Sequence, residues 1–318
     1  MHKLANPKRA AVAASLADDI GRPMATRADF IARMRAAVQH AAPFAAGRLG
    51  HSAQYWLLYP HILARAELPR LVREIYERRL LFEACNQSGL FPAEPAYLLQ
   101  FAEFYTLHLQ QMDVIGLTFD NQERERELLR QYTFAADLMD YRDLSPDRSV
   151  PADDTRCYLP LFRGKRILLI CPFAGLLRTR ATRDTFEAVW ANIDKRWFYP
   201  ANVDALEFPY GLEEQTQLRY GTAEALFDEI VTELRQREFD VALIAASGLA
   251  VPLASAARQM GKIAVDLGGD LQVLFGVLGK RWRQREHWRR DYLNDGWIDM
   301  PAQYRPANPH SADTQDFW

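Results

Sequence analysis

The chain has 318 residues, 49% of them hydrophobic and 25% charged, with a formal net charge of −2. These values describe a globular protein long enough for a sizeable core in one large domain or two smaller ones, and they exclude a surface that is basic throughout and built to bind polyanions. Cys85, Cys157 and Cys171 stand far apart without metal-ligand spacing, and no run reaches the roughly 18 apolar residues of a membrane span, so a reducing, cytoplasmic setting is expected.

The opening stretch MHKLANPKRAAVAASLADDIGRP is basic and alanine-rich, but Asp18 and Asp19 interrupt any signal-peptide core. RADFIARMRAAVQHA sets Phe30, Met34 and Val38 at fourfold spacing, which predicts a helix with one apolar face. A second helix is expected from Glu94-Pro95 onward in EPAYLLQFAEFYTLHLQQM, and a third in NQERERELLRQYTFAADLMDY, where the mixed charges mark a solvated face. The proline- and aspartate-rich stretch SPDRSVPADDTR, residues 145–156, lacks periodicity and reads as a linker. The chain therefore divides into a mainly helical region, residues 1–150, and an α/β region, residues 151–318.

Beyond the linker the rhythm changes. RGKRILLICPF, NVDALEF, DVALIAA and IAVDLGG read as strands, and helical segments lie between them, from about Arg180 to Lys195, in GTAEALFDEIVTELRQREF and in GLAVPLASAARQMGK. Strands alternating with helices predict a Rossmann-like, mostly parallel sheet with right-handed crossovers and a ligand site beyond the carboxyl ends of the strands. Those ends are Pro172-Phe173-Ala174, Ala246-Ser247-Gly248 and Leu267-Gly268-Gly269.

The stretch VDLGGDLQVLFGVLGKRW carries the sharpest local signal. Gly268 and Gly269 permit a tight turn and close ligand approach, a helix over Leu271 to Leu278 would offer N–H groups to an anion, Lys280 and Arg281 would neutralise phosphate, and Trp282 would stack on a base or cover the site. The alternative is a plain strand-to-helix turn followed by a helix that closes at Gly279 with cations at its carboxyl end. Asp266 and Asp270 flank the glycines; each is a candidate base, and Asp270 is equally a helix N-cap. Asp113 reads as structural. The run GKRWRQREHWRR, residues 279–290, mixes cations with aromatic rings as a nucleic-acid contact would, but the slightly acidic whole points away from nucleic acid. There is no Gly-x-Ser-x-Gly elbow, no Walker loop and no Cys/His nucleophile arrangement.

FDVALIAASGLAVPLASAARQMGKIAVDLGGDLQVLFGVLGKRW, with GKRILLICPFAGLL upstream and SGLFP, QQMDVIGL and NDGWIDMPAQYRP as looser matches, resembles a bacterial family of GT-D-fold glycosyltransferases found with surface-polysaccharide genes. Within the specific block stand Gly268, Gly269, Gln272, Leu274, Phe275, Gly276, Gly279, Lys280, Arg281 and Trp282; Trp297 and Trp318 match the family's terminal segment. The resemblance implies transfer of a sugar from a nucleotide-diphosphate donor to a glycan or lipid-linked acceptor, with membrane-associated assembly partners. It places Gly248, Pro172, Phe173, Gly268, Gly269, Gln272, Lys280, Arg281 and Trp282 near the donor. It also implies a divalent metal held by an Arg-x-Gly-Asp-x-Glu-like motif, and here the chain departs from the family. GRLGHSAQ keeps Arg48 and Gly50 but has His51 and Ala53 at the acidic positions. Alanine cannot ligate a metal, and a lone histidine is a poor site for Mg²⁺ or Mn²⁺, which take oxygen donors. A noncatalytic sugar-nucleotide or glycan-binding subunit is the competing expectation.

Overall fold

The structure, a computed structural model, describes residues 7–64, 69–146 and 156–306. Most of the expected linker and the terminal Trp318 lie outside the described residues. Seven parallel strands form one sheet: β1 (Phe44–Leu49), β2 (Val114–Leu117), β3 (Asp137–Asp140), β4 (Arg166–Ile170), β5 (Asn202–Leu206), β6 (Val241–Ile244) and β7 (Ile263–Asp266). Their order across the sheet is β3-β2-β1-β7-β6-β4-β5. The Rossmann-like α/β architecture is as expected, but the sheet does not stop at residue 150. β1 pairs with β7, Phe44 opposite Ile263 and Ala46 opposite Val265, so the helix-rich region supplies three strands of the same sheet.

Strand alternation sorts the core into two layers. Ala45, Leu49, Ile115, Ile170, Ile244 and Ala264 face one layer with helices Ala53–Leu63, Pro95–Leu109, Ala223–Arg235 and Ala250–Gln259. Phe44, Ala46, Val114, Leu169, Leu243 and Val265 face the other, with helices Arg27–His40, Ala174–Arg180, Arg183–Val189 and Asp270–Leu274. The helix Arg27–His40 starts at Thr26, whose side chain and Asp29 form a capping box, and it buries Phe30 and Met34 as its spacing predicts. Helix Ala223–Arg235 buries Leu226, Ile230 and Leu234 in the same way.

Two expected helices end early. Gln122–Gln131 stops where Tyr132 turns extended, and the following DLMD becomes edge strand β3. The helix after the glycine turn stops at Leu274, and the chain then turns at Gly276 (φ 75°) into a short strand β8 (Val277–Leu278) that pairs with β9 (Ile298–Asp299). A Cβ at Gly276 would overlap Val189 Cγ2, so only glycine lets the chain turn there against helix Arg183–Val189.

Candidate functional site

The chain reverses its direction across the sheet at edge strand β5. From β4 it passes outward to edge strand β5 through helices in the second layer, then returns past β4 to β6 through helix Ala223–Arg235 in the first. The loops after β4 and β6 therefore leave on opposite faces, and a crevice opens between them. A cavity of about 200 Å³ occupies it. Its walls are Pro172 and Phe173 after β4, Phe208, Tyr210, Gly211 and Leu212 after β5, Ala245 to Ser247 after β6, and Gly268, Gly269 and Gln272 after β7. Gln87, Ser88 and Gly89 close it from the helix-rich region. None of the residues in its walls carries a charge.

Close backbone contacts hold the walls. Gly248 N–H donates to the Ser88 carbonyl (3.2 Å), and Ser247 Oγ donates to that of Gln87 (3.3 Å). A Cβ at Gly211 would overlap the Gly89 carbonyl oxygen, and one at Gly248 would lie 2.6 Å from Leu90 Cδ2. Ser247 itself adopts φ 47°, the left-handed region, at the turn from β6 into the next helix. A strained residue other than glycine, in a cavity wall, marks a position held by its surroundings.

Behind the glycine turn lies an ionic cluster. Asp266, at the end of β7, accepts from the Gly268 N–H (2.9 Å) and the Arg48 backbone N–H (3.2 Å). Gly268 takes φ 49°, and the Arg48 guanidinium lies against its Cα side, 3.4 Å from where a Cβ would stand. Arg48 Nη2 donates to Asp270 (2.9 Å) and to Ser145 Oγ (2.7 Å), and Ser145 Oγ donates in turn to Asp270. Burial works against the charge on Arg48, but Asp270 and Asp266 outweigh it and raise its pKa. Burial pushes the Asp266 carboxyl up to about 6, against the pull of Arg48 and the two N–H donors. The cluster thus fixes the turn that forms one wall of the cavity.

The structure brings Pro172, Phe173, Gly268, Gly269 and Gln272 together around the cavity and sets Gly248 at its edge. Arg48, Asp266 and Asp270 stand behind that wall and do not line the cavity, so the two aspartates act on the turn and on Arg48. His51 and Gly50 lie at the carboxyl end of β1, outside the walls; His51 Nε2 is 4.0 Å from Glu83, and burial lowers the imidazole pKa.

Lys280, Arg281 and Trp282 require a correction. Neither cation lines the cavity. Trp282 is buried and cannot stack on a base: it packs on Trp288 (6.3 Å between centroids), which packs on Trp297 (5.7 Å), which packs on Trp190 (5.1 Å). The tryptophans anchor helix Lys280–Arg283 in the second layer. Arg180 ties the same block down by donating to the Phe275 (2.7 Å) and Gly296 (2.6 Å) carbonyls.

Wall residues that the sequence analysis did not single out are Ser88, Gly89, Tyr210, Gly211 and Leu212, whereas Ser247 falls at an expected strand end. The first two sat in the looser match SGLFP; the other three had only the signal of following the strand expected in NVDALEF. The donors near the turn do not fit a divalent cation, because Asp266 and Asp270 are engaged by Arg48, Ser145 and backbone N–H groups. Among the described residues no group of three or more His, Cys, Asp or Glu side chains is placed to hold a metal ion.

Residues 223–274 match the family model for a GT-D fold-like domain. That segment runs from the helix before β6 to the helix after the glycine turn and includes the cavity walls from β6 and β7. No curated protein and no solved structure matches the chain. The fold is α/β with a seven-stranded parallel sheet, and residues 223–274 are GT-D-like.

Proposed function

We propose that the protein is a glycosyltransferase that takes a nucleotide-diphosphate sugar as donor and acts in bacterial surface-polysaccharide or glycoconjugate assembly, on a glycan or lipid-linked acceptor. The observation that carries this reading is the cavity beyond the carboxyl ends of β4 to β7, much of whose wall comes from the GT-D-like segment. Phe173, Phe208 and Tyr210 give it aromatic surface suited to a base and ribose. Gly268 and Gly269 line the cavity, where the small residues let a diphosphate come close to the backbone, and Arg48 stands behind that turn paired with Asp270. Asp266 and Asp270 are positioning residues in this reading: Asp266 holds the turn and Asp270 holds Arg48.

The uncharged walls and the engaged carboxylates favour a second reading, a noncatalytic subunit that binds the same donor class for a partner enzyme. Both readings are tested by titrating the full chain calorimetrically with a panel of UDP-, GDP- and dTDP-sugars, in EDTA and in excess Mn²⁺. At least one member should bind, with affinities in the two conditions within about tenfold, a difference of about 1.4 kcal/mol. Gly211→Ala should lower that affinity at least tenfold by forcing the Gly89 and Gly211 loops apart. Slow release of nucleoside diphosphate from the bound donor selects the enzyme; tight binding without release selects the subunit. Failure of every member to bind rejects both.

A further inference from the structure

The helix Arg70–Leu81 presents three aliphatic side chains to water: Leu71, Val72 and Ile75 are 67%, 47% and 59% exposed. At 100° per residue, Arg78 and Arg79 fall on either side of the strip formed by Leu71 and Ile75. The helix carries four arginines against Glu74 and Glu77, so its net charge is positive, although Arg70 pairs with Glu74 (2.8 Å), Arg73 with Glu77 (2.9 Å) and Arg79 with Glu83 just beyond the helix (2.5 Å). Its inner face is anchored: Leu80 is buried, Tyr76 stacks on Tyr59 (6.0 Å between centroids), and Tyr59 donates to Glu77 (2.6 Å). The outer face is therefore held rigidly outward.

The helical path does not end at Leu81. Phe82 remains helical and a π-helical turn, Phe82–Gln87, follows directly. The chain emerges as Ser88-Gly89 in the wall of the cavity. Ile75 and Ser88 are about 20 Å apart along this rod.

We propose that the outer face of Arg70–Leu81 docks the protein reversibly onto an anionic lipid surface. Aliphatic side chains flanked by arginines suit the boundary between headgroups and acyl chains: the aliphatic groups leave water, and the long arginine stems lie along them while the guanidinium groups reach lipid phosphates. The charge on the helix is opposite to that of phosphodiester headgroups. The face is a single convex helix, to which a fluid bilayer conforms, whereas a protein partner must supply a matching groove. Docked in this way, the protein presents to the membrane the same rod that ends in the cavity wall. The inference stands independently of sugar transfer.

The test is co-sedimentation of the full chain with vesicles of phosphatidylcholine alone and of phosphatidylcholine and phosphatidylglycerol in equal parts. The chain should bind the mixed vesicles, and added salt should weaken binding. Leu71→Ser with Ile75→Ser should reduce binding at least tenfold, with an unchanged melting temperature. Absence of binding to the mixed vesicles, equal binding to both vesicle types, or full binding by the double variant overturns the proposal. So does a concentration-dependent dimer in sedimentation velocity that the double variant abolishes, because a second copy would then cover the face.

Discussion

The glycine turn at Gly268-Gly269 and the tryptophan-rich run that begins at Gly279 are near neighbours in the chain, yet they serve opposite purposes. The first is held by hydrogen bonds and charge: Asp266 takes two backbone N–H groups, Gly268 stands in the left-handed region, and the result is an uncharged cavity wall. The second is held by apolar burial, with Trp282, Trp288 and Trp297 packed in one cluster and their neighbouring cations left at the surface. A basic residue beside a glycine turn in sequence is no guide to its place when a tryptophan next to it has somewhere to bury. The large apolar ring decides the path of the chain, because a buried indole outweighs a solvated charge.

Three variants break or sharpen this contrast. The largest effect belongs to the aromatic block. Trp288→Ala removes a fully buried indole and should cost about 3–5 kcal/mol in denaturant unfolding, while protein that remains folded binds nucleotide sugar as before. A selective loss of binding would merge the two regions into one site.

Next comes the turn. The raised pKa of Asp266 means that the folded protein holds this proton more tightly than the unfolded chain, whose carboxyl titrates near 3.8. Protons bound by the folded state exceed those bound by the unfolded state between about pH 4 and pH 6, so this contribution is fully present below that window and is lost as pH rises through it. The loss is on the order of 3 kcal/mol. Unfolding curves for Asp266→Asn measured across the window should lack that decline; identical pH profiles for wild type and variant would show that the carboxyl is already ionised.

The smallest effect is the most discriminating. Lys280→Ala with Arg281→Ala should leave nucleotide-sugar affinity within about twofold and the denaturation midpoint unchanged, because neither side chain lines the cavity. A hundredfold loss of affinity would restore the two cations to the site.

How far the sequence reveals these features follows from side-chain size. ILLI, VALI and IAVD declare β4, β6 and β7 because they are continuous branched apolar runs. FAAGRL and VIGL hide β1 and β2. At Gly47 a Cβ would lie 2.9 Å from Val251 Cγ2, and at Gly116 one would lie 2.6 Å from the Tyr141 Cα. Close approach of helix and turn to the strand demands the small residues that conceal it from a propensity argument. The candidate site was legible at the strand ends, where Pro172, Phe173, Gly268, Gly269 and Gln272 fall in the walls. It was not legible at Ser88, Gly89 or Gly211, because only tertiary structure sets those loops against the crevice. Arg48 stood out as part of a motif, but its work with Asp270 and Ser145 joins residues far apart in the chain.

The pairing of β1 with β7 also governs how the molecule is made. Phe44 and Ile263 are partners across the middle of the sheet, yet they lie more than two hundred residues apart in the chain. On the ribosome, β1 waits roughly 10–40 s for its neighbour at ordinary rates of synthesis. For that interval the nascent β1–β2–β3 unit shows the open side of β1, with its free N–H and C=O groups, to every other chain in reach. A strand inside the finished sheet is, during its birth, an exposed edge.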